Sequence, residues 1–316
     1  MKKQPIYKED WDYLIVLDAC RYDYFERIHK DYLDGDLEKK RSRGSHTTEW
    51  LEKTFTKEIK DVTYISTNPH VNGLGKPIKE TSGYNSNWRA TEVFDEVVDV
   101  WADDELWNDN LGTVLPEDVN KAALENNSTN RLIIHYIQPH EPYLGLQDES
   151  YHWQGKERAE SNKNNRLKDT ILRKVVKPFF HLFSKKTQFK IKKSIGEELS
   201  TLQRLVVEGE GEKLQELYEE NLRTVFEAVK DLTEKLDGKI IITSDHGEAF
   251  GEDGEWGHSR GVDIPILRTV PWFEVEGIKE GVETQTLKTE SKNKEDGNNS
   301  SEEKIKKKLE ALGYKT

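Results

Sequence analysis

Four apolar runs along the chain are each short enough to form one β-strand. They are YLIVLDA (13–19), DVTYIST (61–67), RLIIHYI (131–137) and KIIITSD (239–245). Runs of this length that are rich in β-branched residues predict buried strands. Turn signals or segments with helical spacing follow them, so the pattern indicates strands that alternate with helices.

Segments with helical spacing or helix start signals lie between these strands. The predicted helices are 20–28, 47–55, 86–107, 116–124 and 202–236. Gly209 and Gly211 are expected to interrupt the last of them, because glycine is a poor helix former. Strands that alternate with helices predict an α/β fold with a mostly parallel central sheet. No internal repeat is found, and we expect a single domain over residues 1–316.

Two stretches depart from this regular pattern. Residues 150–236 predict a helical, partly basic insertion or lid within the domain. Its basic part, 166–195, holds ten Lys or Arg residues and one Asp, a charge of about +9, around the apolar VVKPFFHLF (175–183). The segment 288–302 is rich in Lys, Asn, Ser and Glu and predicts a flexible linker to a short C-terminal helix.

Composition and charge narrow the class of protein. The net charge of the 316 residues is −12, which disfavours a general nucleic-acid binder. The one cysteine, Cys20, excludes internal disulfides and cysteine-based zinc fingers. No apolar run approaches the roughly 20 residues of a membrane span, and the N-terminus lacks the apolar part of a signal peptide. We therefore expect a cytoplasmic protein.

Carboxylates end two of the predicted strands, at Asp18 and Asp245. The carboxyl ends of parallel strands are where α/β folds bind ligands. His246 follows Asp245 directly, and His258 lies twelve residues later in a glycine-rich loop. Carboxylate and imidazole ligands suit zinc, manganese or iron better than calcium. The pattern predicts a metal site, and the alternative is a hydrogen-bonded loop with two solvated histidines.

Two further histidines lie in the segment HYIQPHEPY (135–143). His135 falls inside a predicted strand and is interpreted as a core residue. His140 lies between two prolines at the end of that strand, where the ladder cannot continue. We therefore expect His140 to face the same sheet edge as the aspartates and to have a functional role.

Hydroxyl side chains come together in the segment 45–48, after Gly44 and before a predicted helix. The N-terminus of a helix has unpaired N–H groups and a positive dipole end, which favour an anionic ester. A hydroxyl at this place, deprotonated by a bound metal, would be a nucleophile near neutral pH. The alternative is that Thr47 or Thr48 only caps the helix, since Ser and Thr are common N-cap residues.

Four motifs together resemble the sulfatase-like branch of the alkaline phosphatase/sulfatase superfamily. They are YLIVLDACRYD (13–23), GSHTTEW (44–50), HYIQPHEPY (135–143) and IITSDHGEAFGEDGEWGHSRG (241–261). The C-terminal LEALGY (309–314) also looks like the ending of many sulfatase-like proteins. The resemblance implies an alkaline-phosphatase-like, three-layer αβα sandwich. It also implies metal-assisted cleavage of phosphate or sulfate esters through a covalent enzyme intermediate.

The resemblance implies a metal-binding role for the residues at the strand ends. Asp18, Asp245 and His246 would hold a divalent cation, zinc or manganese. His258 would bind a second metal or contact the substrate anion directly. One or two ions are therefore expected.

The resemblance also implies which residues act on the substrate. Ser45 takes the nucleophile position, with Thr47 as the second choice. His140 would face the substrate or the leaving group. Arg21 and Arg43 would neutralise the non-bridging oxygens of the substrate.

The motifs depart from true sulfatases because the C/S-x-P-S/A-R signature, whose first residue becomes formylglycine, is missing. The sequence therefore predicts a metal-dependent phosphatase, phosphodiesterase or phosphotransferase. The alternatives are a sulfatase without formylglycine and an inactive relative that binds an anionic glycan or lipid. The expected substrate is a small-molecule, lipid or glycan phosphate ester, and no nucleic-acid partner is expected. Apolar residues between basic flanks in 166–195 suggest a peripheral contact with the membrane.

Overall fold

The computed structural model describes residues 1–127, 130–146, 180, 182–278 and 308. Its longer strands are β1 (Tyr13–Leu17), β2 (Leu33–Arg41), β3 (Ile59–Ser66), β4 (Phe94–Asp99), β7 (Arg131–Tyr136), β8 (Ile240–Thr243) and β11 (Thr269–Ile278). Two short pairs lie apart from them: β5 (Trp107–Asn108) with β6 (Thr113–Val114), and β9 (Ala249–Phe250) with β10 (Trp256–Gly257). Among the described residues, the longer strands form one seven-stranded sheet in the order β2-β11-β8-β1-β7-β3-β4.

Most of the sheet is parallel, as the sequence predicts. β1 pairs in parallel with β7 and with β8, and β3 pairs in parallel with β7 and with β4. β11 runs antiparallel to both of its neighbours, β8 and β2. The carboxyl ends of five adjacent strands therefore meet at one edge of the sheet.

Helices cover both faces of this sheet. They are α1 (Tyr22–Ile28), α2 (Thr47–Thr54), α3 (Ile78–Thr81), α4 (Pro116–Glu125), α5 (Lys185–Ser194), α6 (Thr201–Glu208), α7 (Gly211–Thr233) and α8 (Pro265–Arg268). All five residues of β1 are buried, so this strand needs cover on both sides. Ile15 and Leu17 pack into a core that includes α1, α4 and α7, whereas Leu14 and Val16 pack into a second core that includes α2. The predicted three-layer αβα architecture is confirmed.

The four predicted strands and four of the five predicted helical segments between them are confirmed. Segment 20–28 forms α1, 47–55 forms α2, 116–124 forms α4, and 202–236 forms α6 and α7. The break in the last segment falls at Gly209, which ends α6 in the left-handed conformation with φ of 86°.

The helix predicted over 86–107 is wrong. This stretch forms β4 at the edge of the sheet, between 3₁₀ turns at Ala90–Glu92 and Val100–Ala102. Only the first of the six residues of β4 is fully buried, so the strand has no clear apolar alternation. Parallel pairing with β3 decides the conformation here, which local spacing does not reveal.

Two strands of the sheet, β2 and β11, were not predicted from the sequence. β2 reads LDGDLEKKR and forms an edge of the sheet. Charged side chains are typical of edge strands, because they oppose pairing with other molecules. Its partner is distant in the sequence, since Arg41 lies opposite Thr269. Local pattern therefore carries little information about this pair.

Several predicted segments lie wholly or partly outside the described residues. They are the linker 288–302, the motif 309–314 and most of the basic segment before residue 180. The described part of the predicted insertion, 182–236, is mainly helical in α5, α6 and α7. Its role as an insertion or lid remains a prediction. None of the helices that the structure describes has the length and apolar character of a membrane span.

Candidate active site

The carboxyl edge of the parallel strands gathers most of the polar residues that the sequence singled out. Asp18 follows β1, Asn68 follows β3, His140 follows β7, and Asp245 and His246 follow β8. Because β1 lies between β7 and β8, their loops meet at one place. This is the position at which open α/β sheets bind ligands.

Asp18, Asp245 and His246 form the first group of potential metal ligands. Their ligand atoms lie within 4.8 Å of one another, and all three residues are buried. His246 Nε2 is 3.2 Å from Asp245 Oδ2 and 3.7 Å from Asp18 Oδ1. His246 Nδ1 lies 2.9 Å from the carbonyl oxygen of Gly247, to which it donates its proton. Nε2 therefore carries the lone pair that a metal ligand needs.

Each aspartate of this group has one oxygen held by the protein and one without a hydrogen-bond partner. Asn68 donates to Asp18 Oδ2 at 3.0 Å, and the N–H groups of Ala19 and His246 donate to Asp245 Oδ1 at 3.0 and 2.9 Å. Within the described residues, Asp18 Oδ1 and Asp245 Oδ2 accept no hydrogen bond. Unpaired buried carboxylate oxygens are costly, and a divalent cation would satisfy both. The residues present therefore fit a metal ion.

The protonation states of this group are those that metal ligands require. Burial lowers the pKa of His246 and outweighs the opposite effect of Asp245, so the ring is neutral at neutral pH. Burial alone would raise the pKa of Asp18. The imidazoles of His135, His140 and His246 around the carboxylate nevertheless hold its pKa well below the ordinary value. Anionic carboxylates and a neutral imidazole are the forms that bind metals.

His140, Glu248 and His258 form a second group, whose ligand atoms also lie within 4.8 Å of one another. His258 Nδ1 is 3.1 Å from each carboxylate oxygen of Glu248. Burial alone would lower the pKa of His258, but the charge and hydrogen bonds of Glu248 raise it to about 9. The ring of His258 stacks on that of His246, with 4.5 Å between the ring centroids. The two groups are therefore adjacent.

Of the two hydroxyls considered as nucleophiles, Thr47 lies beside the first group. Thr47 Oγ1 is 3.2 Å from His246 Nε2 and 3.5 Å from Asp18 Oδ2. Thr47 is the first residue of α2, so the positive end of this helix faces the same place.

Ser45 points elsewhere. Its Oγ lies 2.9 Å from Glu49 Oε2 and 3.0 Å from the carbonyl oxygen of Ser259. Glu49 Oε2 also accepts the N–H of Ser45 at 2.8 Å, so the Glu49 carboxylate binds the residue that precedes the N-cap of α2. The Ser45 hydroxyl therefore stabilises the turn before α2.

Of the two predicted arginines, Arg21 contacts the second group through the backbone alone, where its Nη1 donates to the carbonyl oxygen of Glu248 at 3.3 Å. Arg21 forms two hydrogen bonds to Asp23 and an ion pair of 2.8 Å with Glu252, so its guanidinium is occupied. The charge of Arg43 affects the pKa of Tyr7, which packs against Phe55 at the far end of α2. Their expected contact with substrate oxygens finds no support in this geometry.

Another arginine, Arg260, does reach the site and was not predicted. Its Nη1 donates to Thr48 Oγ1 at 2.8 Å, it pairs with Glu52, and its guanidinium lies over the ring of Tyr84 at 4.9 Å. Its position two residues after His258 is the signal that could have indicated it.

Three residues at the base of the site were also missed or interpreted differently. Asn68 follows the Ser-Thr end of β3, and Glu248 directly follows Gly247 in the aspartate–histidine loop, which is the signal that could have indicated it. His135 is buried, as expected of a core residue. However, its Nε2 lies 3.6 Å from Asp18 Oδ2, and its Nδ1 lies 2.8 Å from the hydroxyl of Tyr64. His135 therefore lies against Asp18 of the first group and is held in place by the hydroxyl of Tyr64.

Helix α7 holds the loop that follows Asp18. The hydroxyl of Tyr218 donates to the carbonyl oxygen of Ala19 and accepts the N–H of Arg21, both at 2.8 Å. Ala19 has a φ of 58°, a left-handed conformation that is unfavourable for a residue with a side chain. The two hydrogen bonds from α7 stabilise this turn and so fix the carboxylate of Asp18.

The same helix holds the loop that carries His140. Three residues after Tyr218, Asn221 Nδ2 lies 3.0 to 3.4 Å from three carbonyl oxygens of residues 139–142. Asn221 Oδ1 accepts the N–H of Leu144 at 2.8 Å. One buried amide thus fixes the loop between β7 and the residues beyond it.

Comparison with known proteins gives matches among solved structures alone. No protein-family model and no curated protein matches the chain. The soluble domain of lipooligosaccharide phosphoethanolamine transferase A from Neisseria meningitidis is 15% identical, with a TM-score of 0.40, over 83% of this chain and 75% of that one. The periplasmic domain of phosphoethanolamine transferase EptC from Campylobacter jejuni is 14% identical, with a TM-score of 0.39, over 83% and 77%. The zinc complex of the EptC domain from Escherichia coli is 11% identical, with a TM-score of 0.44, over 84% and 72%.

These transferases belong to the alkaline phosphatase/sulfatase superfamily. This is the superfamily that the sequence motifs of the chain resemble. At these identities and TM-scores, the matches carry no argument about what the chain binds or does. The predicted cytoplasmic location is contradicted, because the matched EptC domains are periplasmic, and it is withdrawn.

The contacts of Asn221 predict a measurable loss of stability. Replacement by alanine leaves the Leu144 N–H and several loop carbonyls buried without this partner. We expect Asn221→Ala to lower the free energy of unfolding by about 1–3 kcal/mol. Urea denaturation measures this change, with Asn85→Ala, at an exposed position, as the control. Equal midpoints for the two variants would contradict the assigned role.

Proposed function

We propose that this chain is a metal-dependent phosphotransferase or hydrolase that acts on phosphate esters through a covalent intermediate on Thr47. One observation carries the proposal: the Thr47 hydroxyl contacts Asp18 and His246, in a buried group where one oxygen each of Asp18 and Asp245 lacks a partner and suits a cation. A nucleophile next to such a ligand group is what metal-assisted phosphoryl transfer requires.

Thr47 replaces Ser45 as the preferred nucleophile. The Ser45 hydroxyl contacts Glu49 and Ser259 in the turn before α2, whereas Thr47 contacts His246 and Asp18. A nucleophile must reach the phosphorus atom next to the metal ligands, and Thr47 is the hydroxyl of this loop that meets this condition.

Asp18, Asp245 and His246 would hold the first cation, and their mixed oxygen and nitrogen donors favour zinc or manganese. When bound, such a cation lowers the pKa of a neighbouring hydroxyl and offsets the charge of the phosphate. His140 and His258 would either hold a second cation with Glu248 or contact the non-bridging oxygens of the substrate directly.

The reaction then proceeds by two displacements at phosphorus. Thr47 Oγ1 forms a bond to phosphorus while the bond to the ester oxygen of the first alcohol breaks. The proton lost by Thr47 ends on this departing alcohol. A water molecule or an acceptor alcohol then attacks phosphorus, its proton returns to Thr47, and the product leaves. Positioning and charge placement dominate such reactions.

A sulfatase without formylglycine and a binding protein without catalysis remain the competing functions. The sulfatase reading loses support because the chain has a threonine at the site and lacks the formylglycine signature. The hypothesis of a binding protein without catalysis loses support because the Thr47 hydroxyl lies beside the potential metal ligands, an arrangement that binding alone does not need. Turnover measurements separate all three.

We also propose a peripheral contact between α5 and an anionic lipid surface. Helix α5 holds five lysines and no acidic residue. Next to it, Leu182 and Phe183 are 69% and 41% exposed, so apolar and basic groups are presented together. Lys185 Nζ donates to Ser259 Oγ at 2.8 Å, in the loop that carries His258. A lipid phosphate held near α5 would therefore lie close to the site.

Substitution of the two hydroxyls tests the nucleophile. We expect Thr47→Ala to lower kcat on bis(p-nitrophenyl) phosphate by at least about a thousandfold, because the hydroxyl that contacts both His246 and Asp18 at the start of α2 is lost. Ser45→Ala should keep kcat within about fivefold and lose about 1 kcal/mol of stability, because its hydrogen bonds to Glu49 and Ser259 are lost. Full activity in Thr47→Ala would refute the assignment. Sulfate turnover exceeding phosphate turnover would favour the sulfatase.

Metal analysis tests the first group independently of turnover. We expect the purified chain to bind zinc or manganese, and Asp245→Asn to weaken that affinity by at least about tenfold. The exposed Asp253→Asn is the matched control. Saturating metal should raise the melting temperature of the wild type and of the control by more than it raises the melting temperature of Asp245→Asn. A chain that binds no metal and turns over no phosphate or sulfate ester would leave only the binding protein.

Vesicle co-sedimentation tests the lipid contact. We expect binding to vesicles that contain phosphatidylglycerol and little binding to pure phosphatidylcholine. The double variant Leu182→Ser, Phe183→Ser should bind about tenfold more weakly, because it loses two apolar contacts. Leu74→Ser removes another exposed leucine, 52% exposed and in a different loop, and should bind like the wild type. Equal binding by both variants would refute the surface.

A further inference from the structure

His46 directly precedes Thr47 and is the N-cap residue of α2. It is 8% exposed. Its Nδ1 accepts the N–H of Thr48 at 3.2 Å and lies 3.1 Å from the hydroxyl of the same residue. The ring is thus fixed by contacts on one of its two nitrogens.

These contacts determine where the proton of the ring lies. A backbone N–H can only donate, so Nδ1 must present its lone pair to Thr48. Arg260 donates to Thr48 Oγ1 at 2.8 Å, which leaves the hydroxyl proton of Thr48 available for Nδ1 as well. In the neutral ring the proton is therefore on Nε2. Within the described part of the chain, His46 Nε2 has no hydrogen-bond partner.

The surroundings of the ring place it at the substrate side of Thr47. Its centroid is 6.2 Å from that of His246 and 5.4 Å from that of His258, one member of each metal-ligand group. On another side it meets the exposed Tyr84 at 5.2 Å. The ring therefore borders the space between the two groups and the outside, where a phosphoryl group attacked by Thr47 would lie.

Capping alone does not account for a histidine here. Asn, Asp and Ser are the favoured N-cap residues, and each would accept the Thr48 N–H without a ring. The imidazole adds a second polar group, Nε2–H, and the contacts of Nδ1 with Thr48 fix the orientation of the ring that carries it.

We propose that His46 is a catalytic residue whose Nε2–H donates a hydrogen bond to a non-bridging oxygen of the phosphoryl group attacked by Thr47. This inference rests on the proposed function. No proton is transferred in this contact, which stabilises the negative charge on that oxygen as the Oγ–P bond forms. Removal of one such donor from other enzymes lowers kcat by about 10²–10³.

Two isosteric variants separate the donor from the cap. In His46→Asn the side-chain oxygen replaces Nδ1, so the cap is kept and the donor is lost. In His46→Gln the amide nitrogen reaches the position of Nε2, so the donor is kept and the cap is weakened. We expect His46→Asn to unfold like the wild type but to lose about 10²–10³ in kcat on bis(p-nitrophenyl) phosphate. His46→Gln should be the less stable and the more active of the two.

The metal content and the affinity for inorganic phosphate complete the experiment. Zinc binding should be unchanged in both variants, and phosphate should bind more weakly to His46→Asn than to His46→Gln. Wild-type kcat and phosphate affinity in His46→Asn would show that His46 is only a cap, while Thr47→Ala still reports on the proposed function. If the wild type neither turns over esters nor binds phosphate, both the proposed function and this inference fail.

Discussion

Two buried aspartates side by side are the constraint on which the site depends. β1 and β8 are paired with Val16 opposite Thr243, and this register brings Asp18 next to Asp245. Like charges at this distance repel, and burial removes the water that would screen them. The protein satisfies one oxygen of each carboxylate with its own donors and leaves the other facing His246. Such an arrangement is costly in the free protein and would be stabilised by a bound cation. The register of the two strands is therefore what makes these residues fit a metal ion.

The elements around these carboxylates restrict the loops that would otherwise be able to relax. Tyr218 and Asn221, one helical turn apart on α7, hold the loops after β1 and β7. The N-terminus of α2 brings Thr47 to the first group, while the cap contacts of His46 and Ser45 fix its first turn. A helix and a sheet that each have a large buried face position such a site more accurately than flexible loops alone.

Much of this organisation could be predicted from the sequence. The apolar runs located the four central strands, and Asp18, Asp245, His246 and His258 were assigned to one sheet edge because they follow those strands or lie in the loop after them. Resemblance added the expectation of a covalent intermediate. The error over 86–107 arose because β4 shows no clear apolar alternation that would mark it as a strand, and its conformation is decided by pairing with β3.

The sequence by itself determined the alternating α/β architecture and the presence of carboxylates, imidazoles and hydroxyls at its functional edge, because strand periodicity and strand ends are local properties. Only the tertiary structure decided which hydroxyl meets the metal-ligand group. Ser45 and Thr47 are two residues apart, and the start of α2 turns one toward Glu49 and the other toward His246. It also brought Glu248, Asn68 and Arg260 to the site and paired the Arg21 guanidinium with Asp23 and Glu252, because ion pairs and loop contacts fix where a long side chain points.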